Sequence, residues 1–304
     1  MKKIIFIMIL MLSFLPCSYA ENKINILTTT SDLKSIAEFI GGDKVNVDSL
    51  AKGCQDPHFI EAKPSFMMKA KNADLFIRVG LELEIGYEEL IIDGSRNSKI
   101  RIGKPGHLDV SEGVNLLEVP TTTKIDRSMG DVHPMGNPHY WLDPMNAKII
   151  ASNITERLCE ISPQNEGYFR QNLAEFNKKI DARMIMWQEK LKSFKGGKIA
   201  IYHRSWPYFA NRFGLIVGCE LEPKPGIPPS PGHLKEVVDT IKQQNIKVIL
   251  MEVFYDEKPA QFVAEQTGAK LVIVPNSVGG TKEAQDYFSL MDTIVDKLVQ
   301  GFHS

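Results

Sequence analysis

Three histidines stand in tightly constrained phrases. His58 follows Asp56-Pro57, His139 sits in Gly136-Asn137-Pro138-His139-Tyr140-Trp141-Leu142-Asp143-Pro144, and His203 comes directly after the apolar run Lys198-Ile199-Ala200-Ile201-Tyr202. Brought together from separate segments, three imidazoles would make most of a transition-metal site, and imidazole is a preferred ligand of zinc. Their separations of 81 and 64 residues carry no local signature comparable to H-E-x-x-H. Spacing alone leaves each histidine open to the plainer reading of a packed or surface ring, so the chemistry depends on whether the fold converges them.

The elements that must do so alternate between short β-rich runs and helical patterns in both halves, which predicts an α/β fold with parallel sheets covered by helices. In the first half Ile24–Thr28, Val45–Val47 and Leu75–Val79 read as strands, with Ser31-Asp32 capping a first helix and Pro64-Ser65 opening another. Beyond Ser162-Pro163 and on to Leu191, apolar residues from Tyr168 to Trp187 recur at helical spacing without glycine or proline between them, a single helix of roughly 28 residues and on the order of 40 Å. The strand and helix alternation then resumes, with strands at Lys198–Tyr202, Leu215–Val217, Val248–Glu252 and Leu271–Val274 and a closing helix from about Thr281. Two lobes, 21–162 and 194–304, joined by one long helix over 163–193, is the simplest organisation. Ligands of such lobes gather outside the carboxyl ends of the strands, where His203 falls directly and where the loops bearing His58 and His139 can meet it.

Residues 1–20 read as a signal peptide: Lys2-Lys3, an apolar run from Ile4 to Leu15, then Ser18-Tyr19-Ala20 before the cut. A lipoprotein would use Cys17, but Pro16 stands where a lipobox wants a small residue, so a cleaved, soluble product is expected. Without the leader Lys+Arg falls to 34 against 37 Asp+Glu, which offers no basic face for nucleic acid and no polybasic membrane patch. Cys54, Cys159 and Cys219 remain, none in a C-x-x-C pair, and allow one disulfide at most.

Several ordered motifs together resemble one family. Asp56-Pro57-His58, Asn72-Ala73-Asp74-Leu75-Phe76, Val79-Gly80-Leu81, Asn137 through Pro144, Tyr202-His203-Arg204-Ser205-Trp206-Pro207 and Pro228-Pro229-Ser230 are similar to those of the TroA-like zinc and manganese solute-binding proteins of ABC importers. The likeness covers nearly the whole mature chain. It implies two α/β lobes joined by a rigid helix and one metal held between them by His58, His139 and His203. A histidine at the third position is common in zinc carriers and a glutamate in manganese carriers, so the resemblance implies Zn2+ over Mn2+. It further implies a periplasmic monomer that hands its ion to a membrane permease and performs no catalysis.

The chain departs from this pattern in two places. Asn276, in Val274-Pro275-Asn276-Ser277, stands nearest to the place where the family commonly has an aspartate ligand. Glu252 is then either the fourth ligand or an acceptor that orients His203. In place of a long histidine-rich loop before His139 there are only His107 and His133, expected at the surface, with a weak loading role as the alternative. Glu82, Glu84, Glu88 and Glu89 read as a solvated face, and Trp206, Tyr208 and Phe209 as core. A zinc hydrolase is the rival function, since three histidines and an open position also describe catalytic zinc, but no motif supplies a general base. A structural metal in an adhesion or sensor protein is the third reading, separable because chelation would unfold it.

Overall fold

The computed structural model describes residues 22–120 and 133–303; the leader with Cys17 lies outside them. In the first half β1 (Ile24–Thr28), β2 (Val45–Ser49), β3 (Leu75–Arg78) and β4 (His107–Asp109) form a parallel sheet in the order β2-β1-β3-β4. In the second, β5 (Lys198–Ile201), β6 (Ile216–Glu220), β7 (Val248–Glu252) and β8 (Lys270–Val274) repeat that arrangement in the order β6-β5-β7-β8, again parallel. In each sheet the strand order reverses between the first and third strand, and this switch point opens a crevice at the carboxyl ends.

Alternation along the strands sorts their side chains between two layers of helices. Ile26, Leu75 and Ile77 face inward with Ile199, Ile201, Val248 and Leu250 of the second sheet, against α1 (Ser31–Gly41), α4 (Pro144–Ile161), α5 (Glu166–Leu191) and α9 (Tyr287–His303). Leu27 and Phe76 point the other way, under α2 (Pro64–Lys71) and α3 (Glu88–Ser95). Ala200, Ile249 and Met251 do the same under α7 (Pro231–Gln244) and α8 (Lys258–Thr267). A chain of this length is ample for two cores, and the inner core is continuous across both lobes, with Phe176, Ile180 and Trp187 of α5 packed within it.

Local signals explain most boundaries. Ser230 caps α7 by accepting from His233 N at 3.3 Å, and proline occupies the first helical position of α2, α4 and α7. The expected cap of α1 differs: Thr30 takes that place, and Asp32 instead reaches the other lobe, its Oδ1 accepting from Val278 N at 2.9 Å. The last helix begins at Tyr287, later than the expected Thr281, because Asp286 and Ser289 exchange side-chain and backbone hydrogen bonds at its entry. The strand β4 and helix α3 were not apparent in the sequence pattern, the former because it has only three residues. Cys54, Cys159 and Cys219 are free thiols.

Candidate metal centre

The fold brings His58, His139 and His203 together. One nitrogen of each lies within 4.8 Å of the others, and the ring centroids are 5.1 to 5.3 Å apart. Among the described residues no other group of three or more histidine, cysteine or acidic side chains has this spacing. His58 comes from the loop after β2, His139 from the loop after β4 and His203 from the end of β5, so both lobes contribute.

Each ring is oriented by an acceptor at its Nδ1. For His58 this is Asp56 Oδ1 at 2.7 Å, which also accepts from the His58 backbone N at 2.9 Å. The intervening proline bends the chain so that the residue two before the histidine folds back on it. His139 repeats the device: Asn137 Oδ1 lies 2.9 Å from both its backbone N and its Nδ1. The amide cannot be turned over, because Asn137 Nδ2 donates to Glu118 at 2.9 Å and to the Arg204 carbonyl at 2.8 Å. For His203 the acceptor is Glu222 Oε2 at 2.7 Å, beyond β6. With every Nδ1 engaged, the Nε2 atoms are left for a ligand; that of His58 is buried with no hydrogen-bond partner.

Electrostatics divide the three. Burial, together with the neighbouring His58 and His203, holds His139 well below the ordinary imidazole range, so it is neutral. Burial also opposes charge on His203, but its hydrogen bond to Glu222 and the carboxylates of Glu252 and Asp56 raise it overall. Desolvation raises Asp56, yet its bond with His58 holds it below the usual carboxylate range. Glu252, at the end of β7, is pushed up to about 7 by burial and tempered by His203. Both of its oxygens, Ser205 Oγ and both amide atoms of Asn276 are buried without ordinary partners. Glu252 lies outside the 4.8 Å trio. Imidazole nitrogens facing one point, backed by carboxylates, make a site that accepts a divalent cation.

Aromatic residues fix the frame. Trp206, which precedes α6 (Pro207–Phe213), and Tyr208 and Phe209 within it are buried, as core residues should be, and the Tyr208 hydroxyl donates to the Asn137 carbonyl at 2.9 Å beside His139. Trp141 Nε1 donates to the Asn276 carbonyl at 2.9 Å, tying the His139 segment to the second lobe.

The expected surface positions of His107 and His133 do not hold. His107 is buried in β4 with its Nε2 2.6 Å from Glu88, and the His133 ring lies 5.4 Å from that of His58 at the edge of the site. Nor do the four acids form one solvated face: Glu84 and Glu88 are buried. Glu84 accepts from Thr29 Oγ1, Val79 N and Gly80 N at 2.7 to 3.0 Å, and Glu88 pairs with Arg78 as well as His107. Sequence reasoning missed Glu222; it lies 19 residues beyond His203 with no motif linking the two. Asp56 and Asn137 had a usable signal, an acceptor and a proline directly before a histidine.

Residues 26–301 match the family model described as ZnuA, zinc-uptake complex component A, periplasmic. The chain belongs to the ZnuA family. Among relatives of this ZnuA-family chain, the metal ABC transporter substrate-binding lipoprotein ScbA of Streptococcus cristatus is 27% identical over 316 residues, spanning 99% of each chain. The manganese ABC transporter substrate-binding lipoprotein PsaA of Streptococcus pneumoniae is 26% identical, over 92% of this chain and 89% of its own. A crystal structure of ZnuA superposes with a TM-score of 0.78 at 25% identity, covering 92% of this chain and 99% of that one. The chain is thus a substrate-binding protein of a metal ABC importer and not an enzyme.

Proposed function

We propose that this ZnuA-family member carries zinc, held by the Nε2 atoms of His58, His139 and His203, to a membrane permease. The reading rests on one observation above the rest: all three convergent donors are imidazole nitrogens whose Nδ1 atoms are occupied by Asp56, Asn137 and Glu222. Nitrogen donors favour zinc over manganese, which prefers oxygen. Tetrahedral zinc with bonds of 2.0–2.1 Å needs donor nitrogens about 3.4 Å apart. A trio within 4.8 Å reaches that spacing by a small contraction. Glu252 stands beside His203 as a buried carboxyl that can ionise to balance the ion's charge.

The relatives named above are lipoproteins. For this chain we infer a released form cut after Ala20, since Pro16 precedes Cys17. It acts as a monomer outside the cytoplasmic membrane, and its hand-off needs a permease to draw the ligands apart.

The test is metal titration of the stripped mature protein. One strong step for zinc, a much weaker one for manganese and a raised thermal midpoint on loading are expected, since a ligand bound only by the folded state stabilises it. His203→Ala should abolish the strong step. Equal affinity for the two metals would overturn the zinc assignment, and an unaffected His203→Ala variant would overturn the site.

A further inference from the structure

We infer that His133 is a fourth metal ligand, the last to close on the ion and the first to leave it. Three observations meet on this residue. Its ring lies 5.4 Å from that of His58, just beyond the spacing of the trio, and it lines the cleft beside His139 and His203. Its Nε2 is buried with no hydrogen-bond partner. The Leu81 main-chain carbonyl lies against the ring and favours a proton there. His133 thus presents a buried, unpartnered Nε2 as His58 does, beside a main-chain acceptor instead of a side chain.

That carbonyl is itself fixed. Leu81 and Glu82 occupy the left-handed region, with φ of 55° and 67°, in a turn whose entry is anchored by Glu84 accepting from Val79 N and Gly80 N. A buried carboxylate spent on holding a strained turn is explained if the turn has something to position. The donor set also has room for a fourth ligand. Asn276 is a neutral amide, a poorer donor to a cation than a carboxylate, and both it and Glu252 lie outside the trio. The nitrogen of His133 lies outside the 4.8 Å trio too, so it joins only after the trio has seated the ion.

This inference depends on the three-histidine zinc reading and deepens it, so the experiment includes a control for that reading. X-ray absorption of the zinc-loaded mature chain should count four imidazoles, falling to three with one added oxygen in His133→Ala. His133→Ala should also weaken zinc binding by roughly tenfold or more, the range seen when metal-site partners are removed. Zinc release to an excess of chelator should quicken by a similar factor, as affinity changes fall mainly on dissociation. His133→Gln, which keeps the loop polar and similar in bulk, should behave alike. Three imidazoles in the unmodified protein, or unchanged release in both variants, overturns the inference. If instead His203→Ala leaves the count and affinity unchanged, the three-histidine reading itself has failed.

Discussion

Glu222 Oε2 lies 2.7 Å from His203 Nδ1, and both side chains are buried, so one carboxylate sets the orientation and the charge of the only histidine contributed by the second lobe. The pair raises the folded-state affinity of His203 for its proton. A raised imidazole favours the metal-free fold at low pH, an advantage fully present below the unfolded value near 6.5 and lost as pH rises through the higher folded one. Zinc must displace that proton. Affinity should therefore fall as pH drops through the raised value, beginning above the ordinary imidazole range.

Glu222→Gln keeps an acceptor but removes the charge. It should weaken zinc binding at pH 7.5 by roughly 10- to 100-fold and move the acid-side loss to lower pH. Competition with a calibrated chelator from pH 5 to 8.5 measures both effects. A variant with the parent's profile would show that Glu222 does not govern His203.

Asn276→Asp places a carboxylate where both amide atoms now lack partners. Zinc affinity should increase by about a kcal/mol or more, the scale of a charge-assisted contact, and manganese affinity by a larger factor. Without metal the new acid is buried near no partner, so the stripped variant should melt below the parent and recover on loading. Glu252→Gln isolates the neighbouring acid: a sharp loss of zinc affinity marks it as a ligand or essential counter-charge. If neither substitution moves metal affinity, neither residue reaches the ion, and the fourth position is left to His133.

Asp32 gives a prediction independent of metal. Burial pushes its carboxyl up to about 7, against hydrogen bonds from Val278 and Ser277. Because the folded value exceeds the unfolded 3.8, its contribution to stability is complete below about pH 4 and is lost progressively up to about pH 7. Asp32→Asn is exempt from that loss. Thermal unfolding of stripped protein should show the variant gaining on the parent from pH 4 to 7, by up to roughly 1.4 kcal/mol per pH unit, then levelling. A constant difference across that range would place the ionisation elsewhere.

What the sequence made legible was local. His58 and His139 were readable because proline and a short acceptor form a turn within two residues, and that turn is what the fold uses to aim each ring. His203 was readable from its place at the end of a strand. Glu222 was not, because its contact arises only when β5 and β6 pair side by side. Glu84 and Glu88 were misjudged for a related reason. A run of acids shows no sign that the chain folds back over the ends of β1 and β3, where main-chain amides and Arg78 await them. His107 followed Glu88 into the interior.

The apolar interior that passes unbroken from the first sheet through α5 and α9 to the second has a consequence for whatever receives the ion. Little apolar surface can change its contact with water as the metal enters, so loading should carry a heat-capacity change near zero and leave small-angle scattering unaltered. A receptor then meets two objects of one outline. It must tell full from empty by charge, two positive units appearing beside Asp56, Glu222 and Glu252, the acids that face His58 and His203.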